Sequence, residues 1–424
     1  MFITYLVRNL LSDPKDDYTF RSLKFPCANL RENSGLYIHV PFCQQTCPYC
    51  PYLKYPYSKE AILKYATNLC AEIKLRKKHI GEKRSVSSIY FGGGSPMLLD
   101  DALGKIIDTL DDSFYIDGPL AIEANPLDVS VQSIQKIKHI GFNMVSLGVQ
   151  SFSTPILTNI GRKYDGQEAK NKLQIITSAG FETVNVDLMF VLPEQKDTIL
   201  IEDIQTAIAC NPTQITIYPL FTFPYTQVKR FKNKQHVIMP NHKTRKRQYY
   251  LIYDILISNG FERETVWSFS KKGKIKYSSV TRDYFLGFGP GSGSYDGNHY
   301  AFNTFNLDDW HKVISDERIP EIIGMDITPR MAKLFWLYWQ IYATKISRNT
   351  YKNMFNASVD DDFALLLKFM KWLKMTEDIS TDTISLTRRG AHWIHLLQNY
   401  FALNYINKIW GTCQTNARPE KIVL

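Results

Sequence analysis

Between residues 35 and 220, short β-rich runs alternate with helical patterns, which restricts the chain to successive βα units around a parallel sheet. The runs Leu36–Val40, Val86–Phe91, Leu120–Glu123, Asn143–Val149, Thr183–Met189 and Gln214–Leu220 read as six strands. A helix is predicted over Ser58–Lys77, with a serine cap and with Ile62, Leu63, Tyr65, Ala66 and Leu69 at helical spacing. A second covers Asp165–Ala179, opened by the aspartate and closed by Gly180. Six units fall short of the eight that close a TIM barrel, so the expected fold is α/β, an incomplete and laterally open (β/α)6 barrel.

From about Asp326 the pattern turns helical and aromatic, which predicts a C-terminal, mainly helical domain with a strand at Ile384–Leu386. Trp336, Trp339, Trp393 and Trp410 are expected to lie in its core. The expected organisation is an N-terminal extension (1–34), the partial barrel (35–225), a barrel extension and linker with a Gly-rich segment (226–325), and the helical domain (326–424). Between Gln227 and Arg247 lies a basic segment with Lys229, Arg230, Lys232, Lys234, Lys243, Arg245, Lys246 and Arg247, which reads as a solvated loop leading into a helix.

Hydrophobic residues make up 44% and charged residues 22% of the 424, which excludes wholesale disorder. The net charge of +10 favours anionic partners, although one basic segment does not make a nucleic-acid surface and none is expected. No run of 18 apolar residues appears, and the N-terminus has neither a basic start nor a small-residue cleavage site. The expectation is a cytoplasmic monomer without a transmembrane segment, its first twelve residues forming a short amphipathic helix that packs on the protein.

Of seven cysteines, Cys27, Cys70, Cys210 and Cys413 are scattered, unlike a secreted disulfide framework. Cys43, Cys47 and Cys50 form a C-x3-C-x2-C run just after the first strand. Zinc is a poor fit, because no second cysteine or histidine pair accompanies the run. Three thiolates on one loop suit an iron–sulfur cluster with one iron left open to a ligand.

This spacing, with the aromatic Tyr49 before the last cysteine, resembles the radical S-adenosylmethionine (SAM) enzymes. The resemblance implies that Cys43, Cys47 and Cys50 hold a [4Fe–4S] cluster whose open iron is chelated by SAM, and that an electron cleaves SAM to a 5′-deoxyadenosyl radical. It implies a reducing donor such as flavodoxin or ferredoxin. Phe91-Gly92-Gly93-Gly94-Ser95-Pro96 falls where the family has its GGGTP motif, and Glu123, Gln150, Arg162 and Asp187 stand at or near strand ends, where ligands of parallel sheets collect. Carried over, Gly93, Gly94, Ser95, Glu123, Gln150, Arg162 and Asp187 contact SAM, Tyr37 and Tyr49 pack near the cluster, and Met189 marks the place of a second SAM molecule.

In order and spacing the motifs resemble the subgroup of oxygen-independent coproporphyrinogen III oxidases, the related heme chaperones and radical SAM C-methyltransferases. The Gly-rich stretch at 279–297 is similar to that subgroup's GxGxxA/S segment. Two departures bear on the reaction. Tyr52 stands where the oxidases carry a further cysteine, and Tyr164 where their GRxH motif has histidine. The preferred expectation is C-methylation of a flat aromatic or tetrapyrrole-like substrate. The alternatives are coproporphyrinogen decarboxylation or other heme-related radical chemistry, and a heme chaperone without turnover. For heme, His39 is expected to be structural or near the cluster, with His299 and His392 as weaker alternatives.

Overall fold

The six predicted strands are present in a computed structural model that describes residues 8, 11–226, 240–277 and 283–424, and they pair in sequence order. They belong to a larger sheet than the six βα units foretell. In chain order its strands are β1 (Thr19–Ser22), β2 (Gly35–Val40), β3 (Ser88–Gly93), β4 (Leu120–Ala124), β5 (Met144–Gln150), β6 (Thr183–Phe190), β7 (Gln214–Pro219), β8 (Phe261–Arg263), β9 (Ser268–Lys271), β10 (Phe285–Phe288), β11 (Gly293–Tyr295), β12 (His299–Asn303), β13 (Glu321–Asp326) and β14 (Lys421–Val423). Their order across the sheet is β8-β9-β7-β6-β5-β4-β3-β2-β10-β11-β12-β13-β1-β14, so among the described residues β8 and β14 are its open edges.

The Gly-rich stretch supplies a seventh parallel strand. β10 runs parallel to β2, with Phe285 opposite Gly35 and Phe288 opposite Ile38, and β11 to β13 continue as antiparallel hairpins. Segments near both chain ends close this flank, where β1 pairs with β13 and β14. The described residues of 226–325 thus include six strands of the main sheet and the helices His242–Ser258 and Leu307–Ser315. The first twelve residues lie outside the described residues except Arg8, Leu11 and Ser12, as do Lys229, Arg230, Lys232 and Lys234 of the basic segment. Lys243, Arg245, Lys246 and Arg247 ride on the helix His242–Ser258.

The flanking helices begin where the caps indicate. The Ser58 side chain accepts from the Ala61 N–H to open Lys59–Ile80, and Asp165 accepts from the Glu168 N–H to open Gly166–Ser178. Along each parallel strand alternate residues face the helices: Leu36, Ile38 and Val40, then Ile89 and Phe91, then Val145, Leu147 and Val149, then Val184, Val186 and Leu188, all in one buried core. Their neighbours line the other face. There register places His39 opposite Gly92, Glu123 opposite Ser146, Ser146 opposite Asn185, and Asp187 opposite Thr216. Polar residues at buried strand positions are costly unless partnered, so this face is where a ligand is to be sought.

The C-terminal part is mainly helical, with a three-stranded sheet of Lys345–Ser347, Thr383–Leu386 and Thr376–Asp378. Trp336 is buried there, but Trp393 is 51% exposed and corrects the expectation of a tryptophan core. On its helix, Arg388–Phe401, the buried face is taken by Ala391, His392, Ile394 and His395, and Trp393 falls on the other.

Candidate functional site

The cysteine run leaves the C-terminal end of β2, on the side where the loops after parallel strands gather. The Cys50 N–H donates to the Cys47 carbonyl at 3.2 Å, and Lys54 Nζ donates to the Cys50 carbonyl at 2.9 Å, folding the three cysteines into one compact loop. Burial, and then the charges of Cys50 and Cys47, push the Cys43 thiol up to about 12. Burial also raises Cys50, with Lys54 opposing and Cys47 adding to the rise. Three thiolates this close repel one another, and a cationic iron cluster relieves that repulsion.

Among the described residues, no group of three or more His, Cys, Asp or Glu side chains is placed to hold a single metal ion. A polynuclear cluster, in which the thiolates bind different irons, does not require such convergence. Beside the loop is a cavity of about 120 Å3 lined by Thr46, Cys47, Pro48, Cys50, Lys54 and Tyr225 among others. Cys27, Cys70, Cys210 and Cys413 are absent from the loop, and the last three are buried elsewhere.

The three glycines after β3 have tight surroundings. Gly93 has φ 108°, and a Cβ there would lie 2.6 Å from the His39 ring. The space left by its missing side chain is filled by imidazole, so glycine is needed first for packing. Gly94 and Ser95 donate their N–H groups to the Val40 and Phe42 carbonyls, both at 2.7 Å, joining this turn to the cysteine loop. The Ser95 hydroxyl donates to Asp128, which also accepts from Gln44 Nε2 at 3.0 Å. Asp128 thereby ties the glycine turn to the cysteine loop, a role the sequence reading missed. His39 itself is buried, its Nδ1 hydrogen-bonded to the Tyr37 hydroxyl at 2.9 Å, and burial depresses it to about 4. It packs against the glycine turn.

Glu123 and Asp187 occupy the inner face as half-buried carboxyl groups that make no ion pair among the described residues. Glu123 accepts from the Tyr90 hydroxyl at 2.5 Å and from the Gly93 N–H at 3.1 Å. Burial lifts it to about 7, and the Asp187 charge adds to the rise. Asp187 accepts from Asn185 Nδ2 at 2.8 Å and from the Ser146 hydroxyl at 3.2 Å, and burial lifts it to about 6. Two half-buried carboxyls without an ion-pair partner among the described residues, Asp187 feeling the Arg162 charge only at a distance, suit a ligand bearing a sulfonium and an ammonium group.

The remaining expected contacts form a chain across the mouth of the sheet. Gln150, at φ 73°, accepts through Oε1 from the Tyr218 hydroxyl at 2.8 Å. Arg162 Nε donates to the Tyr49 hydroxyl at 2.9 Å, which places Tyr49 between the cysteine loop and the turn that follows the short helix Thr154–Asn159 after β5. Tyr164, the residue in the histidine position, donates to the Gly148 and Val149 carbonyls at 3.0 Å and so braces the end of β5. Tyr37 packs with Tyr90, Ala121, Met144 and Tyr277 on the inner face, on the strand leading to the cysteines. Met189 is buried, with its carbonyl accepting from Gln195 Nε2 at 3.1 Å.

Residues 37–207 match the model of the Radical SAM superfamily. The chain carries a radical SAM domain. The cofactors of that superfamily are a [4Fe–4S] cluster and SAM, and the thiol loop and unpaired carboxyls fit both. The chain is similar to the heme chaperone HemW of Bacillus subtilis (strain 168), at 28% identity over 70% of this chain and 84% of that protein. It is similar to the oxygen-independent coproporphyrinogen III oxidase of Cereibacter sphaeroides, at 26% identity over 69% of each chain. The solved coproporphyrinogen III oxidase HemN from Escherichia coli superposes with a TM-score of 0.75 over 96% of this chain and 98% of that one. At 20% identity this shows a shared fold. The expectation of C-methylation finds no support among these relatives. Among the described residues no helix is long and apolar enough to cross a membrane.

Proposed function

We propose that the chain is a radical SAM protein directed at a tetrapyrrole. The observation that carries the reading is one compact loop of three cysteines at the mouth of an inner face bearing two half-buried carboxyls without ion-pair partners among the described residues, in a chain whose relatives are named for heme and coproporphyrinogen.

In this reading Cys43, Cys47 and Cys50 hold the cluster as thiolates. Held by these three thiolates and reduced by a flavodoxin- or ferredoxin-class donor, such a cluster would supply the electron for reductive cleavage of SAM. Glu123 and Asp187 take the cationic and hydroxyl groups of SAM. Arg162 and Tyr49 fix the cysteine loop against the barrel mouth. Tyr37, Tyr90 and Tyr277 form an aromatic wall that excludes water from the inner face. The +10 net charge suits a carboxylated tetrapyrrole.

A second reading, a heme chaperone that keeps the cluster without substrate turnover, is favoured by two observations. Tyr52 stands where the oxidases carry cysteine, and Tyr164 is spent on bracing backbone carbonyls. Anaerobic reconstitution with iron, sulfide and SAM, followed by quantitation of 5′-deoxyadenosine and S-adenosylhomocysteine with coproporphyrinogen III or heme, separates the readings. Substrate-dependent 5′-deoxyadenosine with loss of carbon dioxide supports oxidation. Stoichiometric heme binding with little of either product supports the chaperone, and both products together would reinstate methylation. Absence of a cluster overturns the proposal as a whole.

A further inference from the structure

A cavity lies apart from the cysteine loop and the polar inner face. It has a volume of about 230 Å3 and lies where the start of β10 and the β11–β12 turn meet the helix Pro329–Tyr342. Tyr284 immediately precedes β10, and its carbonyl accepts from the Gly35 N–H at the start of the parallel strand β2. The cavity therefore sits at the N-terminal edge of the strands, whereas the cysteine loop leaves their C-terminal ends.

Its walls are aromatic. Tyr284 and Tyr295 stack at 6.2 Å, Tyr295 meets Phe335 at 4.2 Å, and Phe335 meets Trp339 at 6.0 Å. Two donors of its lining residues have no acceptor among the described residues: the indole N–H groups of Trp336 and Trp339 are buried, and Trp336 as a whole is only 4% exposed. A buried donor without an acceptor is costly, which makes a ligand acceptor favourable at this place. The guanidinium of Arg31 lies over the Tyr284 ring at 5.2 Å and makes no ion pair among the described residues. Gly297, at φ 87°, lets Tyr284 and Arg31 close on the turn, since a Cβ there would lie 2.9 Å from the Tyr284 ring and 3.5 Å from Arg31 Nη1. Asp283 lines the cavity from an exposed position.

We infer that this cavity is a second binding site, separate from the SAM site, for a small planar aromatic carboxylate. The aromatic wall takes the flat ring and the indole donors take acceptor atoms. Arg31 takes the carboxylate, for which its planar fork is suited. The volume lies below the about 300–1,000 Å3 of pockets for drug-sized ligands, so the ligand is one or two fused rings and not a whole tetrapyrrole.

The test uses full-length, cluster-loaded protein labelled with 15N at the indole nitrogens and titrated anaerobically with 2-naphthoate, with neutral 2-naphthamide as control. The seven tryptophans are assigned by Trp→Phe variants. Saturable shifts of Trp336 and Trp339 that persist with SAM at saturation are expected. So is an affinity for 2-naphthoate about tenfold weaker in Arg31→Gln, with partial recovery in Arg31→Lys and little change for the amide. No shift at either indole up to millimolar probe overturns the site. So do displacement of the probe by SAM, or equal affinity in Arg31→Gln that folds with wild-type iron content. If Arg31→Gln does not fold, Arg31→Lys decides, because its geometry cannot reproduce the bidentate contact and weaker binding is still expected.

Discussion

Arg162 Nε donates to the Tyr49 hydroxyl at 2.9 Å, and the guanidinium lies 5.8 Å from the centre of the Tyr49 ring. Through this pair the residue before the last cysteine is tied to the turn that follows the short helix Thr154–Asn159 after β5. Gln45 adds a second tie by donating to the Gly161 carbonyl. The aromatic position of the cysteine motif is thus a structural joint.

Removing the hydroxyl alone tests the joint. Tyr49→Phe leaves a half-buried Arg162 donor without this partner, at a cost of about 1 kcal/mol. Arg162→Lys loses the same hydrogen bond from the other side. Urea unfolding of the two single variants and the double variant is expected to show a double-mutant effect smaller than the sum, since both delete one interaction. Strict additivity would mean that the contact carries no energy.

Cysteine replacement separates ligands from bystanders. Ala at Cys43, Cys47 or Cys50 should abolish the oxygen-sensitive cluster, whereas Ser or Ala at Cys27, Cys70, Cys210 or Cys413 should leave iron content at the wild-type level. Cys70, Cys210 and Cys413 are buried, so their variants are expected to lose stability without losing iron. Iron and sulfide quantitation on anaerobic protein is the measurement, and normal cluster content in any variant of the triad would refute the assignment.

The parts legible in the sequence are those with local physical causes. The six parallel strands appear within a few residues of their predicted ends because strands covered by helices on one face carry dense apolar runs. Ser58 and Asp165 announced two helix starts because a cap is a local hydrogen bond. The flanking strands β8 to β14 were not legible, since they are three to six residues long and gain their pairing from partners far away, as Phe20 does opposite Ile422. Candidate SAM contacts could be named from strand ends, but Asp128 could not. Its link to Ser95 and Gln44 spans 33 and 84 residues and leaves no pattern in the chain. The motif implies that Gly93 contacts SAM, and only the structure shows the His39 ring occupying the space its missing side chain leaves.

The pH dependence of the cluster-free protein has a definite sign. Burial raises Glu72 and Glu123 to about 7 from an ordinary 4.5, so the folded state holds protons that the unfolded state has released between these values. Their contribution is most favourable below about 4.5, declines as pH rises through the window, and levels off above about 7. The unfolding free energy is expected to fall across pH 4.5–7 by as much as roughly 1.4 kcal/mol per unit for each group. Glu72 accepts from the Gly289 N–H at 2.8 Å, Trp310 Nε1 at 3.0 Å and Asn303 Nδ2 at 2.7 Å, so Glu72→Gln should destabilise the protein and shallow the slope. Urea midpoints that rise with pH across this window would contradict the assignment.

Asp187 is the sharpest probe of the SAM shell. Its apolar neighbours Val186 and Leu188 face the helices, and its carboxyl lies on the inner face with Asn185 and Ser146 donating to it. None of these groups is an expected iron ligand. Asp187→Ala should therefore leave iron content unchanged while SAM affinity falls roughly tenfold or more, the consequence of stranding polar partners at about 1–3 kcal/mol. Asn185→Ala removes the donor that touches both Ser146 Oγ, at 2.7 Å, and Asp187 Oδ1, at 2.8 Å, and is expected to weaken SAM binding by a smaller factor because the carboxyl itself remains. Isothermal titration with SAM and quantitation of 5′-deoxyadenosine on both variants provide the readouts. Unchanged SAM affinity together with unchanged 5′-deoxyadenosine formation in Asp187→Ala would reduce Asp187 to a strand-end residue whose hydrogen bonds only brace β5 against β6.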